Sequence, residues 1–149
     1  MIVIELANRL PAMLKPADMR KLEKELARVL RTRSKKVASL SFVTELAMQK
    51  LNKTFRHMNK PTDVLSFSPA PAPTENRHLK TEHYLGDIVV CVPYAKREAA
   101  RRGMTLREEL LRLIAHGVLH LSGFDHATAK EEEKMFGLQE RVVDAIISV

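Results

Sequence analysis

The chain has one cysteine, no tryptophan, two tyrosines and five phenylalanines in 149 residues. A single thiol excludes an intramolecular disulfide and fits a reducing compartment. Cys91 lies in the run Ile88-Val89-Val90-Cys91-Val92, where an inert buried thiol is expected rather than a nucleophile. No apolar stretch reaches the roughly eighteen residues that a membrane span needs. The opening Met1-Ile2-Val3-Ile4-Glu5-Leu6 lacks the basic lead-in and long apolar core of a signal peptide. The expected location is therefore the cytoplasm, with no membrane partner. Acidic residues are also in deficit, 18 against 25 Lys and Arg, for a net charge of +7. That excess suits a polyanion as partner, although a surface tuned for solubility accounts for it equally well. Apolar residues make up 45% and charged residues 29%, as in an ordinary globular protein long enough to bury one core.

Periodicity divides the chain into alternating elements. Met1 to Leu6 and Val37 to Val43 read as strands. Between them Pro16 and Asp18 open an amphipathic helix to about Arg31, with Met19, Leu22, Leu26, Val29 and Leu30 on its apolar stripe. Its basic residues, from Arg20 to Lys36, are expected on a solvated face. Thr44 starts a helix that ends before Lys60-Pro61, and Asp63 to Phe67 is a short strand. Residues 69–83, with Pro69, Pro71 and Pro73, read as a surface loop. Leu85 to Val92 is the most continuous strand signal. Pro93 opens a helix that Gly103 ends, and Thr105 with Glu108 forms a capping box before a helix from Leu106. A last helix runs from Ala129 to Ile147. This order predicts one α+β domain over residues 1–149: a small mixed sheet of about four strands, packed with about five helices.

Three of the six histidines fall within His116-Gly-Val-Leu-His120-Leu-Ser-Gly-Phe-Asp-His126. His116 and His120 are four apart, hence neighbours on one face of a helix. Gly123 is a residue that can end that helix in a left-handed turn and bring His126 back. Three imidazoles with a fourth position open is the donor set of a catalytic zinc site, here at the end of the central helix. A merely structural histidine cluster is the blander alternative. The spacing is similar to the zinc motif of the metzincin proteases, His-Glu-x-x-His-x-x-Gly-x-x-His, but position 117 is glycine where they carry their general base.

Three segments together more closely resemble the YbeY family of bacterial endoribonucleases. They are the His116 to His126 run; Leu51-Asn52 through Phe55-Arg56 followed by Pro61 to Phe67; and Leu85-Gly86-Asp87-Ile88. Residues 1–50 match only in pattern. Phe55 stands where the family often has tyrosine. The resemblance implies a zinc-dependent, single-strand-specific endoribonuclease. It would act in ribosomal RNA maturation, notably at the 16S rRNA 3′ end, and in ribosome quality control, with ribosomal RNA or ribosomal particles as partners. One zinc per chain would sit on His116, His120 and His126. Arg56 matches the arginine that acts on RNA, where a guanidinium grips phosphate oxygens; a salt bridge, for instance to Asp63, is the structural alternative. Asp125 would orient an imidazole or serve as base, and Asp87 is either a turn residue or a second such group. Arg97, Arg101 and Arg102 are candidates for a basic wall, or else ordinary solvated charges. His57, His78 and His83 are expected to be surface residues. A metallopeptidase and a non-catalytic ribosome-assembly factor with structural zinc are the competing readings.

Overall fold

Hydroxyl and carboxylate caps start the helices where the sequence places them. The structure, a computed structural model, describes residues 1–69 and 83–148; nearly all of the expected loop at 69–83 lies outside them. Helix α1 (Pro16–Leu30) is preceded by the Lys15 amide, which donates to Asp18 Oδ2 at 2.9 Å. Thr44, Thr105 and Thr128 each accept an amide N–H three residues on, at 3.1–3.2 Å. They start α2 (Glu45–Arg56), α4 (Leu106–Leu121) and α5 (Ala129–Ile147). Each such cap contributes about 1 kcal/mol. The remaining helix among the described residues, α3 (Val92–Arg102), has Pro93 in its first turn and Gly103 in the left-handed conformation at its end.

Strands β1 (Ile2–Leu6), β2 (Lys36–Val43), β3 (Val64–Phe67) and β4 (Tyr84–Cys91) form one sheet in the order β1-β2-β4-β3. The first three in that order run parallel, and β3 is antiparallel to β4, with Ser66 opposite Ile88. The sheet is therefore mixed and four-stranded, as the α+β reading expected. Side chains on β4 alternate between two apolar clusters. Ile88 and Val90 enter the main core with α1, α4 and α5, whereas Val89 and Cys91 join Met48 and Leu65 on the other face. Period-two alternation thus gives one strand two buried faces.

Burial around α4 extends beyond one stripe of the helix. Leu111, Ala115, Val118 and Leu119 are buried as well as Leu110, Leu113 and Ile114, because sheet and helices pack around it. Gly117 is the point of closest approach: a Cβ there would stand 2.9 Å from Ile88 Cγ2. Position 117 faces the sheet, so a glutamate there would enter the core rather than the cleft beside the histidines. Gly86 does the same on the strand, where a Cβ would lie 2.2 Å from the Phe67 carbonyl oxygen. At its other end α4 is tied to α1 by Arg107, which donates to both oxygens of Asp18 at 2.8 and 3.3 Å.

Gly117→Ala gains up to about 1 kcal/mol of helix propensity but overpacks a rigid β-branched neighbour, a cost of about 1–3 kcal/mol. Urea unfolding is expected to show a net loss of roughly 1–2 kcal/mol. The Asp18–Arg107 pair predicts an acid limb. Its hydrogen bond from Arg107 holds the Asp18 carboxyl below its ordinary 3.8. This contribution is fully present above the unfolded value and is lost as pH falls through the lowered folded one. Asp18→Asn is expected to flatten that part of the stability–pH curve.

Candidate metal centre

The C-terminal end of α4 presents His116 and His120 one turn apart, with ring planes within 2° and centroids 6.4 Å apart. Ser122 then caps the helix through its hydroxyl, which donates to the Val118 carbonyl at 2.7 Å. Gly123 takes φ +107° while its amide reaches the His120 carbonyl. This turn returns the chain so that the His126 ring lies 6.0 Å from His116 and 5.9 Å from His120. Three imidazoles bound to one tetrahedral ion at about 2 Å would have centroids roughly 5 Å apart. The triangle seen is about an ångström wider. Donor atoms of His120, Asp125 and His126 all lie within 4.8 Å of one another. Asp125 Oδ1 accepts the His126 amide at 2.7 Å, which fixes the backbone that carries the third imidazole.

Burial and one hydrogen bond set the state of His116. Burial holds its pKa below 6.5, against the opposing pull of Gln139, and so favours the neutral ring. Its Nδ1 lies 2.9 Å from Gln139 Oε1. The Gln139 amide is itself oriented by Nε2 donating to Glu140 Oε2 at 3.2 Å. Its oxygen therefore faces His116, and Nδ1 carries the proton. The Nε2 lone pair is left for a cation, the usual effect of a partner behind a metal-binding imidazole. Glu140 is in turn held by Arg112 through two contacts of 2.7 Å. His120 Nδ1 is buried with no hydrogen-bond partner among the described residues. Such an atom costs about 1–3 kcal/mol, and hydrogen bonding does not account for where this ring sits. The imidazole set, the fixed tautomer and the neighbouring carboxylate fit a divalent cation of nitrogen-preferring character.

A cleft of about 370 Å³ joins the three histidines and Asp125 to Arg56 and to Val64, Leu65 and Ser66 of β3. Arg56 is the last residue of α2, and His57 after it adopts the left-handed conformation. Arg56 makes no ion pair with Asp63. It donates from Nη2 to the Ser66 carbonyl at 3.0 Å, with its guanidinium carbon 5.9 Å from the Phe67 ring centre. The two stretches are sixty residues apart in sequence and share one cleft. Arg97 and Arg101 line neither this cleft nor its neighbour, and they pair with Glu45 and Glu98. Arg102 borders His116 and His126 in a neighbouring cleft, with one edge on the buried Glu109. Asp87 is exposed and accepts the Tyr84 hydroxyl, whose pKa burial and this contact raise to about 12. His57 and His83 are exposed, and His78 lies outside the described residues. Gln139 is the residue that periodicity passed over. It is a 6%-exposed polar side chain on the buried face that Met135, Val142 and Ile146 share, and that interruption was its only signal.

Comparison with known proteins gives a consistent match. The family model for endoribonuclease YbeY matches residues 12–147. An endoribonuclease YbeY from Sulfurihydrogenibium is 42% identical over 109 residues, 72% of this chain and 68% of the relative. Another, from Bifidobacterium animalis, is 32% identical over 140 residues, 94% of this chain and 77% of the relative. The solution structure of TM1509 from Thermotoga maritima superposes with a TM-score of 0.62 at 28% identity, covering 98% of this chain and 89% of that one.

Gln139→Leu removes the acceptor behind His116 while keeping bulk. Divalent-cation affinity is expected to fall roughly 10–100-fold, read by competition with a chromophoric chelator, with thermal unfolding confirming a retained fold. Gln139→Glu keeps an acceptor and is expected to bind nearly as the parent does. Equal affinity for Gln139→Leu and the parent would refute the orienting role.

Proposed function

The chain belongs to the YbeY endoribonuclease family, and from that premise we propose that residues 1–149 form a single zinc-dependent domain that cleaves single-stranded ribosomal RNA or its precursors in the cytoplasm. The observation that carries this reading is the shared cleft: Arg56 and the three histidines line one opening. The net charge of +7 favours a polyanionic strand there. Among the described residues no helix is long and apolar enough to cross a membrane.

His116, His120 and His126 would hold one zinc ion. Zinc, when bound, supplies Lewis acidity and makes a nearby water more acidic. The chain's own groups do the rest. Gln139 keeps Nδ1 of His116 protonated, so that the nitrogen facing the cleft is unprotonated. Asp125 fixes the His126 backbone, and its carboxylate, close to His120 and His126, would orient an imidazole or take a proton from the attacking oxygen. Arg56, steadied by the Ser66 carbonyl and the Phe67 face, meets the phosphate and stabilises the charge that grows on its oxygens. The peptidase alternative keeps the ligand spacing but has no general base at position 117, which faces Ile88.

The test incubates purified protein with unstructured RNA and with unfolded polypeptide, each with and without chelator, alongside metal analysis. RNA cleavage that stops with chelator, and one zinc per chain, are the expected results. Arg56→Ala is expected to slow cleavage roughly 10²–10³-fold with unchanged melting. Cleavage of polypeptide and not RNA would sink the proposal. Cellular processing that survives Arg56→Ala would instead support a non-catalytic assembly factor.

A further inference from the structure

A second cleft, of about 390 Å³ and without Arg56 in its lining, is within the usual range for small ligands. It shares His116 and His126 with the first. Phe136 of α5 borders it and is 57% exposed, a large aromatic face left in water. Glu132 stands four residues earlier, hence one turn away on the same helix face, and borders the same cleft. Arg102 borders it from α3. Its side chain is 42% exposed, and its contact with the 1%-exposed Glu109 pins it in place. Arg112, also on the wall, is only 12% exposed and is committed to Glu140 and Glu108.

These groups match the parts of one nucleotide. Bases without a duplex stack on exposed aromatic rings. A carboxylate only accepts hydrogen bonds, so it selects a base edge that donates. Guanine offers two adjacent donors, N1–H and the N2 amino group, to the two oxygens of one carboxylate. Uracil offers a single N–H between two carbonyls, which the carboxylate repels. We propose that this cleft is a base-recognition subsite: Phe136 stacks one base, Glu132 selects a donor-bearing edge with guanine best matched, and Arg102 contacts the adjoining phosphate. The proposal rests on the endoribonuclease reading of the histidine cleft and adds direction and specificity to it. The strand passes over His116 and His126, with Arg56 on one side and the recognised base on the other. Cleavage then falls beside that base.

The test uses short fluorescein-labelled RNA strands, all uridine or uridine with one central guanine. Anisotropy is read on full-length protein with chelator present, so that no probe is consumed. The parent is expected to favour the guanine strand roughly tenfold. Phe136→Ala is expected to weaken that strand by roughly tenfold or more, with Phe136→Trp restoring it and Phe136→Leu failing to. Glu132→Gln is expected to shrink the preference for guanine while the stacking contribution stays. Circular dichroism melting checks that each variant folds. With zinc restored, cuts mapped on the guanine strand should lie next to the guanine. Equal binding by the parent, Phe136→Ala and Phe136→Leu would overturn the subsite even if RNA is still cleaved. Failure of the parent to bind or cut either strand would remove the endoribonuclease reading along with it.

Discussion

The rest of the molecule depends on how closely α4 can lie against β4. Side chains normally hold a helix and a sheet about 10 Å apart, and one missing Cβ at Gly117 lets Ile88 fill the space instead. Residues on either side of that contact inherit its geometry. His116 is adjacent to the contact point and His120 is the next turn of the same helix, so the depth of both rings is set by apolar packing. Gly86 repeats the arrangement from the strand side, beneath Phe67 and against Leu121. Packing of this kind is stiff because interiors are as dense as molecular crystals. A metal site needs that stiffness, since half an ångström matters to a coordination shell.

Charge is arranged around this apolar centre in a graded way. Exposed pairs such as Arg101–Glu98 contribute little. Half-buried ones, such as Arg112 with Glu140, join helices and end in a functional atom. The chain of contacts from Arg112 through Glu140 and Gln139 to His116 converts an ion pair between α4 and α5 into a fixed tautomer. Glu109 shows the cost of such designs: it is fully buried, one oxygen has no partner among the described residues, and burial raises its carboxyl pKa. Its remaining oxygen holds Arg102 at the cleft, the one return visible for that cost.

Local physics was legible in the sequence, and relations between distant residues were less so. Caps at Asp18, Thr44 and Thr105, the stop at Gly103 and the turn at Gly123 all follow from side-chain chemistry within four residues. The histidine spacing and the family resemblance together singled out three histidines and Arg56, which the structure brings to one cleft. The strand order β1-β2-β4-β3 was not readable, because pairing depends on contacts far apart in sequence. Neither was the pairing of Arg97 with Glu45, fifty-two residues away, whereas Arg101 with Glu98 sits at ordinary helical spacing. Gly117 carried a second meaning that the sequence did not show. It lacks the protease carboxylate, and its missing Cβ is also a requirement of the core.

The position of Gln139 has a consequence for how the protein is made. The ribosome delivers α4 before α5, yet α5 supplies the oxygen that sets the proton on His116 and the wall on which Phe136 stands. A nascent chain that has completed the three histidines still lacks both. A nuclease synthesised amid ribosomal RNA thereby acquires its finished cleft only after α5 has been translated and docked.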